Sequence, residues 1–193
     1  MGGASLLLGK TLTGQRARKN WHVTEQLSLH PSHSPGAFSV GYKVEDDQGN
    51  GAFLKASDLT MALSHDDPVS ALLEMTTAHE FERSILERCS GNNLDGIVTA
   101  LDSGTVQVTD EGYRDFVFYI VFELAQGDLR KFVDVEEGTD LGWIISALHS
   151  FSVAINQIHT IDVYHNDFKP ANALVFKDKE KPVYPLDACR TDC

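Results

Sequence analysis

The spacing of apolar and polar residues divides the first half of the chain into a strand-rich part and a helix. Short β-prone runs at residues 38–44 and 52–54 are separated by the polar segment 46–51, whose composition is typical of a hairpin turn. These runs predict an antiparallel sheet. From Asp67 to Cys89, apolar residues recur at helical intervals after an Asp-Pro start, which favours a helix over this segment.

The second half begins with a strand and continues as a long helix. Residues 116–122 are all apolar or aromatic, which predicts a buried strand, and a turn-like Gln-Gly-Asp segment follows at 126–128. From Leu141 to Ile158 the apolar positions are spaced for one amphipathic helix. Sheet, helix, buried strand, connector and long helix together predict an α+β fold.

Composition narrows the class of protein. The 193 residues are 42% hydrophobic and 23% charged, as expected of a soluble globular chain with one domain or two small lobes. The formal net charge of −12 argues against nucleic acid and anionic membranes as partners. No stretch approaches the roughly 18 apolar residues of a membrane helix, and the three cysteines have no metal-ligand spacing. These features predict a soluble, cytoplasmic protein with reduced thiols and no membrane association.

The strongest chemical signal is the segment 165–172, HNDFKPAN, which an apolar run follows. It closely resembles the H-R-D-L-K-P-x-N catalytic loop of protein kinases. The resemblance implies that Asp167 orients and deprotonates the attacking hydroxyl, that Lys169 neutralises the transferring phosphoryl group, and that the Asn172 amide oxygen binds Mg²⁺. A polar loop after a helix is the alternative, and it does not explain why four special residue types agree in spacing.

A second signal is Lys55, in the run Phe-Leu-Lys-Ala at residues 53–56, which is similar to the V-A-I-K strand of kinases. A lysine in an apolar strand is costly to bury unless an anion lies nearby. By the resemblance, the anions are the ATP phosphates and Glu82, whose Glu-x-x-Ile-Leu context is typical of the kinase αC helix. The sequence therefore predicts a Lys55–Glu82 ion pair, with an edge-strand lysine and a solvated glutamate as the alternative. The spacing of the two residues also implies a surface insertion at 60–69.

Two further segments match kinase motifs in part. Gly36 and Phe38 occupy the place of the glycine-rich phosphate loop, although two of its glycines are replaced. In the hinge-like segment 122–129, the resemblance implies that the Glu123 carbonyl and the Ala125 N–H bond the adenine edge and that Asp128 approaches the ribose. A plain hairpin in the first segment, and an ordinary strand end with a turn in the second, would give the same patterns.

The resemblance covers residues 21–176 and departs from the family beyond them. The D-F-G metal site, the activation segment and the A-P-E motif are not clearly present, so the sequence is interpreted as a truncated kinase. Asp187 lies at a plausible distance for a degenerate D-F-G and is a candidate metal ligand, although a chance match is the alternative. Asn166 replaces the arginine of H-R-D. Taken together, the sequences of these motifs are similar to those of bacterial serine/threonine kinase-like proteins.

The sequence therefore predicts a protein kinase-like bilobal α+β fold, with a five-stranded antiparallel small lobe and an incomplete helical large lobe. Residues 1–20 are assigned to an N-terminal extension, 21–124 to the small lobe, and 125–193 to the hinge and partial large lobe. The predicted function is Mg²⁺-dependent transfer of phosphate from ATP to serine or threonine of a protein substrate, weak or absent in a truncated chain. The alternatives are a catalytically inactive nucleotide-binding or scaffold module and an aminoglycoside-type small-molecule kinase, and Lys169 favours the protein kinase. No oligomeric state is predicted.

Overall fold

The computed structural model of the chain describes residues 2–27, 39–57, 59–63, 65–94, 96–110, 112–133, 140–165, 169–176, 182–183 and 189–190. The chain divides into two compact units. The first unit combines Met1–Arg83 with Ala100–Leu124, and the second combines Ser84–Thr99 with Ala125–Cys193.

The first unit is built on an antiparallel sheet to which the described residues contribute six strands. In chain order the strands are β1 (Thr11–Thr13), β2 (Asn20–Leu27), β3 (Ser39–Asp46), β4 (Gly51–Ser57), β5 (Ala100–Asp110) and β6 (Tyr113–Glu123). Their spatial order is β1-β2-β3-β4-β6-β5, so β4 is an interior strand between β3 and β6. The predicted turn at 46–51 joins β3 to β4, and Gly49 supplies its left-handed backbone with a φ of 81°.

The sixth strand, β1, comes from the segment that the sequence predicts to be an extension of a five-stranded sheet. Leu12 pairs with Trp21 of β2, and a 3₁₀ turn at Gly3–Leu6 precedes the strand. Leu7 is fully buried, and the Tyr42 hydroxyl donates a hydrogen bond of 2.6 Å to the Ala4 carbonyl. The prediction of five strands is therefore corrected to six, because apolar side chains near the start of the chain pack onto the sheet.

The alternation of side chains along the strands gives the sheet two different faces. The first, which we call the core face, carries the buried cluster formed by Leu12, Trp21, Val23, Tyr42, Val44, Ala52, Leu54, Ala56, Val108, Val117, Tyr119 and Val121, covered by Ala4 and Leu7. The residues between them on β4 and β6 point to the opposite side, which we call the Lys55 face. Its members include Lys55 and Ser57 on β4 and Phe116, Phe118 and Ile120 on β6.

Two helices follow β4. The short helix α1 (Thr60–Leu63) lies in the segment where an insertion is predicted, and its Leu63 is exposed. The helix α2 (Pro68–Gly91) confirms the helix predicted from the Asp-Pro start. The carboxylate of Asp67 accepts a hydrogen bond of 3.1 Å from the Ser70 N–H, so it caps the first turn as the sequence pattern requires.

The second unit contains the C-terminal end of α2, the helix α3 (Leu141–His159) and several two-residue strands. These strands are β7 (Gly127–Asp128), β8 (Tyr164–His165), β9 (Leu174–Val175), β10 (Pro182–Val183) and β11 (Cys189–Arg190). One face of α3 is buried, through Ala147, Ser150, Phe151, Ala154 and Ile158. The Arg88 guanidinium of α2 donates to the Ile161 carbonyl just after α3, which links these two parts of the unit.

By length and composition, α3 is long and apolar enough to cross a membrane. The expectation that no stretch approaches that composition is therefore wrong. Such a helix is weak evidence for a membrane span, since the core helix of a soluble protein has the same length and composition. The helix begins at an ordinary cap, in which the Asp140 carboxylate accepts hydrogen bonds from the N–H groups of Gly142 and Trp143.

Candidate active site

Lys55 lies in the middle of the sheet of the first unit. On β4 it pairs with Gly41 of β3 on one side and with Ile120 of β6 on the other. Because Gly41 has no side chain, β3 contributes no side chain to the Lys55 face directly beside the lysine. The edge-strand alternative for Lys55 does not hold, since β4 is an interior strand.

The predicted ion pair between Lys55 and Glu82 is present. The Lys55 Nζ lies 3.0 Å from Oε1 and 3.1 Å from Oε2 of Glu82, so the ammonium contacts both carboxylate oxygens. The exposed fractions of the two side chains are 20% and 15%. A partly buried lysine held in this way presents an oriented positive charge, which is the feature that phosphate binding requires.

Sequence reasoning missed His79, which lies one helical turn before Glu82 on α2. Its ring packs against the ring of Phe118, with 5.2 Å between centroids and a tilt of 41°. His79 is buried, and burial lowers the pKa of its imidazole below the ordinary value of 6.5. The one available signal was its position three residues before Glu82, since residues at that spacing share a helix face.

Part of the segment 165–172, which resembles the kinase catalytic loop, is described in the second unit. Lys169 precedes a 3₁₀ turn at Pro170–Asn172 and adopts an extended backbone. Asn172 is buried, and its N–H donates a hydrogen bond of 2.9 Å to the Lys169 carbonyl. Asp167, the predicted base, lies outside the described residues, so its approach to Asn172 stays a prediction.

The turn that carries Asp128 is tied to the strand that follows Asn172. Asp128 pairs with Leu174, and the Leu129 N–H donates a hydrogen bond of 2.7 Å to the Ala173 carbonyl. These backbone contacts place two of the predicted site segments next to each other in the second unit.

The Asp128 carboxylate already has a partner within its own turn. It accepts hydrogen bonds from the Arg130 N–H at 3.0 Å and from Nε and Nη2 of the guanidinium, each at 2.9 Å. The Arg130 guanidinium holds the pKa of Asp128 below its usual range, so the carboxylate stays ionised. The structure thus gives Asp128 a capping role that the sequence did not predict, and its approach to a ribose stays a prediction.

The remaining predicted site residues are only partly described. Glu123 ends β6 and pairs with Ala52, and Ala125 begins the second segment of the second unit. Gly36, Phe38 and Asp187 lie outside the described residues. Among the residues that are described, no group of three or more His, Cys, Asp or Glu side chains is placed to hold a metal ion.

Comparison with known proteins points in the same direction as the motifs. A segment of 77 residues is 31% identical to cyclin-dependent kinase 1 of Encephalitozoon cuniculi (strain GB-M1), and it covers 38% of this chain and 26% of that kinase. The chain is similar in part to protein kinases. Mitogen-activated protein kinases 10 and 9 of Oryza sativa subsp. japonica are each 37% identical over 62 residues, which is 32% of this chain. No protein-family model matches the chain.

These similarities support a place in the protein kinase superfamily, and they are local. The chain spans about a quarter of the first relative's length and 10% and 9% of the other two. All three relatives are eukaryotic proteins, so the comparison lends no support to a bacterial origin.

Proposed function

We propose that the chain is an ATP-dependent phosphotransferase of the protein serine/threonine kinase type, located in the cytoplasm. The observation that carries the proposal is the Lys55–Glu82 ion pair, with 3.0 and 3.1 Å between the Lys55 Nζ and the two carboxylate oxygens. A lysine that is both partly buried and oriented by a carboxylate fits a triphosphate, because it supplies a fixed cation beside a strand position that carries no side chain.

In this proposal, residues of several segments would each bind a different part of the nucleotide. Lys55 would hold the phosphates, with Glu82 as the residue that orients it, and Gly36 and Phe38 would cover them. The Glu123 carbonyl and Ala125 N–H would bind the adenine edge, with Asp128 near the ribose. These assignments rest on the motif positions and the ion pair.

The catalytic assignments follow the loop motif. Asp167 would accept the proton of a substrate hydroxyl, and Lys169 would stabilise negative charge that develops on the transferred group. Asn172 and Asp187 would supply oxygen ligands, and amide and carboxylate oxygens are the donors that Mg²⁺ prefers. When bound, Mg²⁺-ATP supplies the phosphoryl group and the charge neutralisation of its leaving oxygens.

The proposal is tested by separating binding from transfer. Binding of Mg²⁺-ATP by the full chain is measured by calorimetry, and transfer is measured with radiolabelled ATP on a generic basic protein substrate. Asp167→Asn is expected to abolish transfer and to leave ATP affinity nearly unchanged. Lys55→Met is expected to lower transfer about a hundredfold, since removing an oriented charged group from a reaction centre costs about 10²–10³ in rate.

The matched control is Lys43→Met, which removes the same charge from the same sheet face on the neighbouring strand β3. It is expected to change affinity and transfer less than twofold. Equal losses in the two lysine variants would show that only net charge matters, and would contradict a specific site at Lys55. ATP binding without transfer would identify a nucleotide-binding or scaffold module, and transfer to an aminoglycoside but not to protein would identify a small-molecule kinase.

A further inference from the structure

The helix α2 rests on the sheet of the first unit through very few buried groups. Along residues 68–83, all of which the structure describes, His79 alone is buried. The apolar residues Val69 and Leu73 of the same stretch are 78% and 66% exposed. An amphipathic helix is normally held by a stripe of several buried apolar side chains. His79 is therefore the one buried contact point of this part of α2, beside half-buried residues such as Leu72, Met75 and Phe81.

His79 and Glu82 contact neighbouring positions of the Lys55 face. In the pairing of β4 with β6, Ser57 lies opposite Phe118 and Lys55 lies opposite Ile120. Side chains that lie opposite each other in an antiparallel pair share a face, so Phe118 and Lys55 are diagonal neighbours on it. The contact of His79 with Phe118 and that of Glu82 with Lys55 are thus two adjacent points, one helical turn apart on α2.

We propose that His79 is the positioning residue that sets α2 against β6 so that Glu82 meets Lys55, and that it does so only while its imidazole is neutral. The inference rests on the proposed function for its consequence, since a displaced Glu82 would no longer orient the lysine of the ATP site. The docking of the helix itself is independent of any activity.

The charges around His79 explain why its protonation would release the helix. Lys55 from β4 and Arg83 from α2 disfavour a second positive charge there, and only Glu80 from α2 favours it. Glu80 is itself paired with Arg83, at 2.6 Å, on the exposed side of the helix. From β6 the ring of Phe118 offers no charge. Burial is the largest cause of the lowered pKa of His79, and it also opposes the charged form.

The lowered pKa of His79 determines how the docking of α2 on the sheet changes with pH. Above the ordinary pKa of 6.5 the imidazole is neutral whether the helix is docked or not, so pH has no effect on docking. Below 6.5 the undocked helix binds the proton more readily, and docking weakens as pH falls toward the lower pKa of the docked state. One proton can shift the docking equilibrium by at most about tenfold per pH unit.

The test measures hydrogen-exchange protection factors, corrected for intrinsic exchange, for residues 71–83 of the full chain at pH 7.5 and pH 5.5. Wild type is expected to lose roughly three- to tenfold of its protection on acidification. His79→Phe keeps a ring against Phe118 but cannot be protonated, so it is expected to lose less than about 1.5-fold. His79→Ala is expected to show low protection at both pH values. The control is His149→Gln, an exposed histidine on α3, which should behave as wild type.

Equal acid-induced losses in wild type and His79→Phe would overturn the inference, even if His79→Ala fails to fold. The dissociation constant for Mg²⁺-ATP, measured in parallel, should rise more between pH 7.5 and pH 5.5 in wild type than in His79→Phe. If ATP binds at neither pH but the exchange pattern is as expected, the positioning role stands and the proposed function fails. If ATP binds and both proteins share one pH profile, the function stands and the role of His79 fails.

Discussion

The core face and the Lys55 face of the same sheet are closed in different ways. The core face is covered by the start of the chain, where Leu7 is fully buried and backbone groups are bonded by side chains of the sheet. The Tyr42 hydroxyl donates to the Ala4 carbonyl at 2.6 Å, and the Tyr119 hydroxyl donates to the Thr13 carbonyl at 2.9 Å. On the Lys55 face, the described contacts with residues 68–83 instead include the ring contact of His79 with Phe118 and the ion pair of Glu82 with Lys55.

The difference between the two faces indicates which contacts of this unit are fixed and which respond to pH and to ligands. Apolar burial and satisfied backbone groups are insensitive to pH and to bound anions, so the apolar cluster of the core face supplies a fixed platform. A buried imidazole and an ion pair both respond to protons and to ligands of opposite charge. The Lys55 face is therefore the side of the sheet on which binding could be regulated without unfolding the unit.

Among the variants that compare the two faces, the largest loss in free energy of unfolding is expected at Asp102. Its carboxylate binds the start of the chain at the end of the core face. Its buried carboxylate accepts hydrogen bonds from the N–H groups of Arg16 and Ala17 at 3.0 and 3.1 Å, and from the Trp21 indole at 3.0 Å. Asp102→Ala removes the partner of the buried Trp21 indole and of the part-buried N–H groups of Arg16 and Ala17, and an unsatisfied buried group costs about 1–3 kcal/mol. We expect a loss of about 3 kcal/mol or more, measured by urea unfolding with Trp21 fluorescence in a Trp143→Phe background.

The control for Asp102 is Asp47→Ala, which removes an exposed carboxylate from the turn after β3. Asp47 contacts His22 at 2.9 Å, with exposed fractions of 59% and 46% for the two side chains. Exposed pairs of this kind contribute about 0–1 kcal/mol. A loss at Asp102 no larger than that at Asp47 would mean that the start of the chain does not depend on the buried carboxylate. Gly14 also marks this contact, since a Cβ there would overlap the Asp102 carboxylate.

The next largest effect is expected from Leu7 compared with Leu8. Leu7 is fully buried against the core face, whereas its neighbour Leu8 is 55% exposed. Leu7→Ala should cost about 2–4 kcal/mol in free energy of unfolding, because it removes a buried side chain and leaves a cavity. Leu8→Ala should stay within about 0.5 kcal/mol. Similar losses in the two variants would show that the first residues lie loosely on the sheet, and the contrast between the faces would fail.

These two tests concern features that the sequence did not reveal, and the reason is physical. The bond between the Trp21 indole and Asp102 joins residues 81 positions apart, and no local pattern records such a contact. The strand β5 was also missed, because the polar and glycine residues at 102–104 have low β-propensity. Its pairing with the strongly apolar β6 places it in the sheet in spite of that composition.

Other elements were predictable because their causes are local. The turn between β3 and β4, the helices α2 and α3, and the apolar core of β6 each follow from composition or periodicity over a few residues. Of the candidate site, a partner for Lys55 was predictable, since a charge in an apolar strand needs one, and the resemblance to kinases pointed to Glu82 as that partner. The contacts of His79 and Arg130 were not predictable, because each depends on which side chain faces it: Phe118 of strand β6 faces His79, and Asp128 faces Arg130 in a tight turn.

The smallest loss of stability is expected for a variant on the Lys55 face. That variant tests most directly whether the two faces of the sheet can loosen independently. Phe118 and Phe116 share β6 and this face, but Phe118 contacts the His79 ring at 5.2 Å whereas Phe116 is 55% exposed. Phe118→Leu keeps an apolar side chain and loses the ring contact, so it should cost only about 1 kcal/mol in stability. Phe116→Leu should stay within about 0.5 kcal/mol. Hydrogen exchange should show the loss in α2 for Phe118→Leu and leave residues 12–23 protected. A loss spread evenly over both segments would instead make the two faces one cooperative unit, and the Lys55 face could not then loosen by itself.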